Sequence, residues 1–391
     1  MYKLNTLFFL VLTGLDLVGG LKRKGPRTPL PAENWAAASE KAKAFVSQLD
    51  VTEKASMVTG SPGACIGNIA PMPRLNFSGI CFTDGPHAVS RMEIVSVFPA
   101  SLTMAATWDK DLLYERGYAL GEEFREKGSH VGLGPSAGPL GRHPLGGRNW
   151  EGFSPDPYLS GVAMRETILG TQDAGTQTTS RHIIGNEQET QRTNSFLEDG
   201  IEVHALSSNI DDRTMHELYM WPFADAVKAG TTSVMCAFNR VNQTYSCEDD
   251  QLLNHILKKE LGFEGYFFSD KNLISGLISP ITSKSGNITM SRLDDMIQRI
   301  MTPYYLLNQD HSDYPSLDPS AICILGASLT GEISCSIAAR DVRGNHSSLI
   351  RRMGSDGTVL LKNVNNALPL KSPKSIAAFG NDAGDLMSGL T

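Results

Sequence analysis

An α/β fold built on a parallel sheet is predicted by three observations. Short apolar runs recur along the chain and each ends in polar residues, amphipathic helical stretches lie between those runs, and 391 residues with 41% apolar content suffice for one large barrel or two domains. The prediction is a (β/α)8 TIM-like barrel, incomplete, followed by the start of an α/β sandwich domain. A doubly wound sheet has the same local pattern, so periodicity alone leaves these two architectures open.

Taken in order, Lys3 precedes the apolar run Leu7-Phe8-Phe9-Leu10-Val11-Leu12, and the small pair Gly19-Gly20 follows, so residues 1–20 read as a secretory signal peptide. The barrel domain is expected over 31–305. Its strands are read at Gly79-Ile80-Cys81-Phe82-Thr83-Asp84, His130-Val131-Gly132-Leu133-Gly134, 181–187, 233–239 and Gly265-Tyr266-Phe267-Phe268-Ser269-Asp270. Each resembles a buried strand whose C-terminal end carries chemistry. Helical patterns fill 110–127, 211–229 and 249–261, the last with Asp249 as a cap. A segment rich in Ser, Asp, Pro and Gly over 306–345 reads as a linker, and 346–391 as the start of the second domain, with a helix over 348–353 and strands at 357–363 and 375–380.

The net charge of −7, with no basic stripe interleaved with aromatics, excludes a nucleic-acid partner. No run after the N-terminus is long enough to span a bilayer, so no membrane partner is expected. Secretion makes two further features coherent. Four sequons begin at Asn76, Asn242, Asn287 and Asn345, and six cysteines fall as Cys65 with Cys81, Cys236 with Cys247 and Cys323 with Cys335. Local pairing is the simplest of the fifteen connectivities six cysteines allow. His216-Glu217 lacks a second histidine four residues on, and no CxxC pair occurs, so no metal is expected. Gly132-Leu133-Gly134-Pro135-Ser136-Ala137-Gly138 has GxGxxxG spacing with Pro135 inside it, which argues against a dinucleotide loop; no cofactor is expected.

The loop Gly146-Gly147-Arg148-Asn149-Trp150-Glu151-Gly152-Phe153-Ser154-Pro155-Asp156-Pro157 packs Arg, Asn, Trp and two carboxylates between turn formers, a polar site with an aromatic wall suited to carbohydrate. An ordinary surface Arg–Glu pair is the alternative for such a loop alone. In a barrel the strand ends converge on one mouth, and those ends here carry Asp84, His182, Asn186, Glu187, Asn239 and Asp270. Glycoside hydrolysis uses two carboxylates with polar groups fixing the sugar hydroxyls, and Asp270, at the end of a strongly apolar strand, suits the nucleophile or a helix cap. His182 suits a general base, a ligand donor or a satisfied core histidine.

Together these stretches, with Cys81-Phe82-Thr83-Asp84-Gly85-Pro86, Gly134-Pro135-Ser136-Ala137-Gly138-Pro139-Leu140-Gly141-Arg142, His182-Ile183-Ile184-Gly185-Asn186-Glu187-Gln188-Glu189 and Phe268-Ser269-Asp270, resemble the fungal β-glucosidases of glycoside hydrolase family 3. The likeness runs over 55–270, 291–305 and 341–384. It implies a barrel-like first domain, an α/β sandwich second domain, terminal β-linked glucose of cello-oligosaccharides or other glucosides as substrate, retention of configuration and no cofactor. By matching motif, Asp270 is implied as nucleophile and Asp84, Arg148, Arg181, His182 and Phe238 as residues of the first sugar subsite. Three positions depart from the family pattern: Arg181 stands for a lysine, Phe238 for a tyrosine and Lys271 for a tryptophan. The resemblance also implies a shortened region after Asp270 and an acid/base glutamate in the second domain, beyond this chain. The readings that follow are a secreted, glycosylated β-glucosidase, a sugar-binding homologue without turnover, and an unstable fragment. Oligomeric state is not legible.

Overall fold

The computed structural model describes residues 27–268, 288–321, 338–377 and 379. The signal-peptide reading of 1–20, Asp270, Lys271, the Asn287 sequon, Cys323 and Cys335 lie outside the described residues. The chain divides into two compact units, Met1–Gly357 and Thr358–Thr391.

The first unit is built on a six-stranded sheet: β1 Gly67–Ile69, β2 Ile80–Asp84, β3 Val131–Leu133, β4 Gln177–Ile183, β5 Ser233–Cys236 and β6 Tyr266–Phe268. The strands lie side by side in chain order. β1 is antiparallel to β2, and β2 to β6 are mutually parallel, with Phe82 opposite Val131, Val131 opposite Gln177, and Ser233 opposite both Thr179 and Tyr266. A doubly wound sheet reverses its strand order at a switch point, and among the described residues this order does not reverse.

Helices fill the crossovers between parallel strands and flank the sheet in sequence: α1 Ala32–Val46 and α2 Val51–Thr59 before β1, α3 Ser101–Ala106, α4 Lys110–Glu126, α5 Pro157–Asp173 and α6 Trp221–Lys228 between strands, and α7 Met290–Leu306 and α8 His346–Asp356 after β6. Their starts follow from local chemistry. Asp50 and Glu53 form a reciprocal capping box on α2; Asp109 caps α4, Asp156 caps α5 ahead of Pro157, and Thr289 caps α7. The expected helix at 249–261 is a π-helix over Gln251–Glu260, and Asp249 accepts from the Leu252 amide at 3.0 Å.

Among the described residues one small cluster, Trp35 with Ala38 and Leu306, and two large apolar cores result. One joins β1, β2, β3 and β6 to α1 and α7 through Phe45, Phe77, Phe82, Phe268, Leu293 and Ile297. The other packs α4, α5 and α6 through Leu112, Phe124, Met164, Ile168 and Phe223. Helices α4 and α5 approach so closely that a Cβ on Gly170 would stand 2.3 Å from the Tyr114 carbonyl oxygen, which requires glycine there. Disulfides join Cys65 to Cys81 and Cys236 to Cys247.

Three expectations are corrected. The strand read at 181–187 is Gln177–Ile183: its polar start is buried because the hydroxyls pair within the layer, Thr179 with Ser233 at 2.6 Å and Ser180 with Thr231 at 2.9 Å. The segment 306–345 is not a linker where it is described. Gln309 is buried and donates to the carbonyls of His130 at 2.8 Å and Gly175 at 3.0 Å, closing the entry to β3 and β4, and Tyr314 stacks on His130 at 4.7 Å. The strand expected at 357–363 is absent among the described residues of the second unit, which form one 3₁₀ turn, Val364–Asn366, and residues 375–377 are likewise irregular. Leu361 is exposed there, and a strand needs a neighbouring ladder that these residues do not supply.

Candidate functional site

The C-terminal ends of β2 and β4 converge on one constellation. Asp84 is the last residue of β2, and Arg181 with His182 lies near the end of β4. The chain following β3 is drawn alongside, since the Arg181 amide donates to the Pro135 carbonyl at 3.0 Å and the Ala137 amide donates to the Arg181 carbonyl at 2.6 Å. That pairing brings the Arg148 loop over the strand ends.

Asp84 is fixed by the turn that follows it. Gly85 has φ +137°, and a Cβ there would lie 1.6 Å from the Ala88 carbonyl oxygen, so only glycine fits; its amide donates to Asp84 Oδ1 at 3.0 Å. Arg181 spends each of its three nitrogens on protein acceptors: Nη1 on Asp84 Oδ1 at 2.6 Å, Nη2 on Glu151 Oε2 at 3.2 Å and Nε on Ser136 Oγ at 3.0 Å. Arg148 grips the same Glu151 carboxylate bidentately, at 2.9 and 2.7 Å. Its Nη1 reaches only the distant Glu189, 3.9 Å away, and Glu189 in turn pairs with Arg192 at 3.0 Å. The Arg192 guanidinium covers the Phe238 ring at 4.6 Å, a cation–π contact.

The electrostatics follow from this packing. Burial works to raise the Asp84 pKa, but the charge and hydrogen bond of Arg181, the Gly85 amide and the charge of Arg148 outweigh it and hold the carboxyl below its ordinary range. His182 is pushed well below the usual histidine value, first by burial and then by Arg181 and Arg148, so it is neutral. Its Nδ1 donates to the Gly138 carbonyl at 3.4 Å, which leaves Nε2 as an acceptor. Glu187, in the narrow cleft it shares with His182, Leu140 and Tyr219, is raised by burial against the opposing backbone bonds of Leu140 and Arg142. Trp150, half exposed, lies on the buried His87 at 4.7 Å.

Of the residues picked out in the sequence, Asp84, Arg148 and Arg181 are brought into one network, His182 sits beside it, and Phe238 joins through Arg192 and Glu189. Asn239 is turned to structural work, its amide donating to the Ile184 carbonyl at 3.1 Å. Asn186 is buried, with an Oδ1 that meets no donor among the described residues. The sequence offered Glu151 only as half of an ordinary Arg–Glu pair, not as the centre of the network, and gave no argument for Ser136, Glu189 and Arg192. The signal available was spacing, since Arg148 with Glu151 and Glu189 with Arg192 are each three apart. At the sequons, Asn76 and Asn345 are exposed, whereas the Asn242 amide is paired with the Ile210 backbone at 2.8 and 3.0 Å.

Comparison with known proteins gives this constellation its context. The family model described as "Glycosyl hydrolase family 3 N terminal domain" matches residues 83–287. A protein named probable beta-glucosidase G from Aspergillus flavus is 52% identical over 404 aligned positions, covering 92% of this chain and 49% of that protein. The like-named protein of Emericella nidulans is 51% identical, covering 91% and 48%. Among solved structures, the beta-D-glucoside glucohydrolase of Trichoderma reesei is 40% identical with a TM-score of 0.76, over 88% of this chain and 48% of that one. Beta-glucosidase 3B of Thermotoga neapolitana, solved in complex with alpha-D-glucose, is 27% identical with a TM-score of 0.67, over 85% and 48%. The chain thus spans about half the length of the curated relatives it matches. On the domain match and on identity across nine-tenths of its length, the chain belongs to glycosyl hydrolase family 3.

Proposed function

We propose that this chain carries the sugar subsite and the nucleophile of a secreted retaining β-glucosidase, in a barrel of (β/α)8 type, acting on terminal non-reducing β-D-glucosyl residues. The observation that carries the reading is the grouping of Asp84 and neutral His182, at the ends of parallel strands β2 and β4, with Arg148 of the loop after β3, in a chain of this family. The Asp84 carboxylate accepts sugar hydroxyl protons through Oδ2, the Arg148 Nη1 donates to a hydroxyl, and His182 Nε2 accepts another. The glucose-bound relative supports a monosaccharide of this kind as the occupant.

Asp270, two positions beyond Phe268 at the end of β6, is proposed as nucleophile. Its carboxylate oxygen bonds to the anomeric carbon as the bond to the leaving oxygen breaks, giving a glycosyl ester that water then hydrolyses with net retention. Protonation of the leaving oxygen contributes roughly 10²–10⁴-fold to such a step, and an activated leaving group removes that need.

Incubation of the full chain with a 2-deoxy-2-fluoroglucoside bearing dinitrophenolate tests the reading. One glycosyl adduct per chain, mapped to Asp270, is expected. A folded chain that binds glucose and forms no adduct is instead a sugar-binding homologue without turnover, and absence of both refutes the sugar site.

A further inference from the structure

We infer that Glu151 is the positioning residue of the sugar site, the single carboxylate that holds both arginines in place while touching no ligand itself. The inference rests on the sugar-site reading for its purpose, and on geometry alone for the clamp.

Glu151 Oε1 accepts from Arg148 Nε, and Oε2 accepts from both Arg148 Nη2 and Arg181 Nη2, so three charge-assisted bonds end on one carboxylate. Exposure separates its role from that of Asp84. The Glu151 side chain is 8% accessible, whereas that of Asp84 is 44% accessible, and both Asp84 bonds described here use Oδ1. A sugar hydroxyl therefore reaches Asp84 and not Glu151.

The charges are also matched in pairs. Two cations, Arg148 and Arg181, alternate with two anions, Asp84 and Glu151, and the Arg181 side chain is only 4% accessible. A guanidinium so buried is stable only while its counter-ions remain, so loss of the Glu151 charge leaves Arg181 to Asp84 alone and frees Arg148 to swing toward Glu189. Both events disturb groups that meet the ligand: the first draws Asp84 further onto Arg181, and the second turns the Arg148 donor away. The planar fork of Arg148 is what makes its bidentate grip directional, so Glu151 sets the aim of Nη1, whose nearest acidic partner is Glu189 at 3.9 Å.

The test uses the full chain, Glu151→Gln and Glu151→Asp, with hydrogen-exchange NMR of the arginine Nε–H groups and glucose titration. In the parent, Nε–H of Arg148 and Arg181 exchange at least about tenfold more slowly than that of the exposed Arg213. In Glu151→Gln with its melting transition retained, the Arg148 Nε–H exchanges about tenfold faster and the glucose Kd rises about tenfold or more. Glu151→Asp, one methylene shorter, keeps one arginine and gives an intermediate Kd. Parent exchange as fast as that of Arg213 overturns the clamp even if neither variant folds. A folded Glu151→Gln with unchanged exchange, or with a Kd within about twofold, overturns the positioning role. If the parent binds no glucose, the sugar reading fails while the exchange rates still decide the clamp.

Discussion

Lys127 and Asp318 form an ion pair of 3.1 Å in which both side chains are wholly inaccessible. The pair ties the end of α4 to the segment that follows α7. Lys127 Nζ also donates to the Glu93 carbonyl at 2.7 Å, and Asp318 accepts from the Arg340 amide at 2.9 Å and the Ser320 amide at 2.9 Å. Removing Lys127 leaves Asp318 with the Arg340 Nε, 3.3 Å away, as its remaining cation, whereas removing Asp318 leaves the buried ammonium with backbone acceptors alone. Lys127→Met is expected to destabilise the first unit by about 1–3 kcal/mol, and Lys127→Met with Asp318→Leu by less than the sum of the single changes. Urea unfolding followed by tryptophan fluorescence checks this; additive effects refute it.

His346 at the start of α8 places Nε2 3.8 Å from Glu122 and Nδ1 2.7 Å from the buried Glu123. Hydrogen bonds to Glu122 and Glu123 outweigh burial and push its pKa up to about 9. A histidine raised in the folded state stabilises fully below its unfolded value near 6.5, and that contribution is lost as pH rises through about 9. Between those values the parent is expected to lose on the order of 1–2 kcal/mol relative to His346→Gln, once solvent screening is allowed for. Thermal midpoints of both proteins from pH 6 to pH 9.5 measure the difference (about one reading per half unit); curves that stay parallel refute the pairing.

The parts of this fold legible in the sequence were those where burial and apolarity coincide. Ile80–Asp84, Ser233–Cys236 and Tyr266–Phe268 read as strands because their side chains are mostly apolar and enclosed. Gln177–Ile183 is as buried but opens Gln-Thr-Thr-Ser, and its register depends on hydroxyl pairs with β5 that no local pattern announces. The same holds for two polar residues of a Ser- and Pro-rich stretch, Gln309, which closes the entry to β3 and β4, and Asp318, which holds the end of α4 through Lys127. In the site, Asp84, Arg148 and Arg181 were visible as motif residues, but the role of Glu151 exists only once β4 and the Arg148 loop are side by side.

Asp84 sets the charge of the proposed sugar site at acid pH. Burial alone would raise its pKa, and the net lowering depends chiefly on Arg181 by charge and by hydrogen bond. For a carboxyl depressed in the folded state, the ionised form persists as pH falls through the ordinary value near 3.8. Glucose affinity in the parent is therefore expected to stay level from neutral pH down to about pH 4.5. Arg181→Gln removes the largest opposing influence and leaves only the Gly85 amide and Arg148 against burial, so the acid limb of binding moves upward. Isothermal titration at intervals of about half a pH unit, confined to conditions where circular dichroism shows both proteins folded, reads the shift. An acid limb at the same pH in both proteins means that Asp84 does not depend on Arg181 for its charge, and the electrostatic account of the subsite fails.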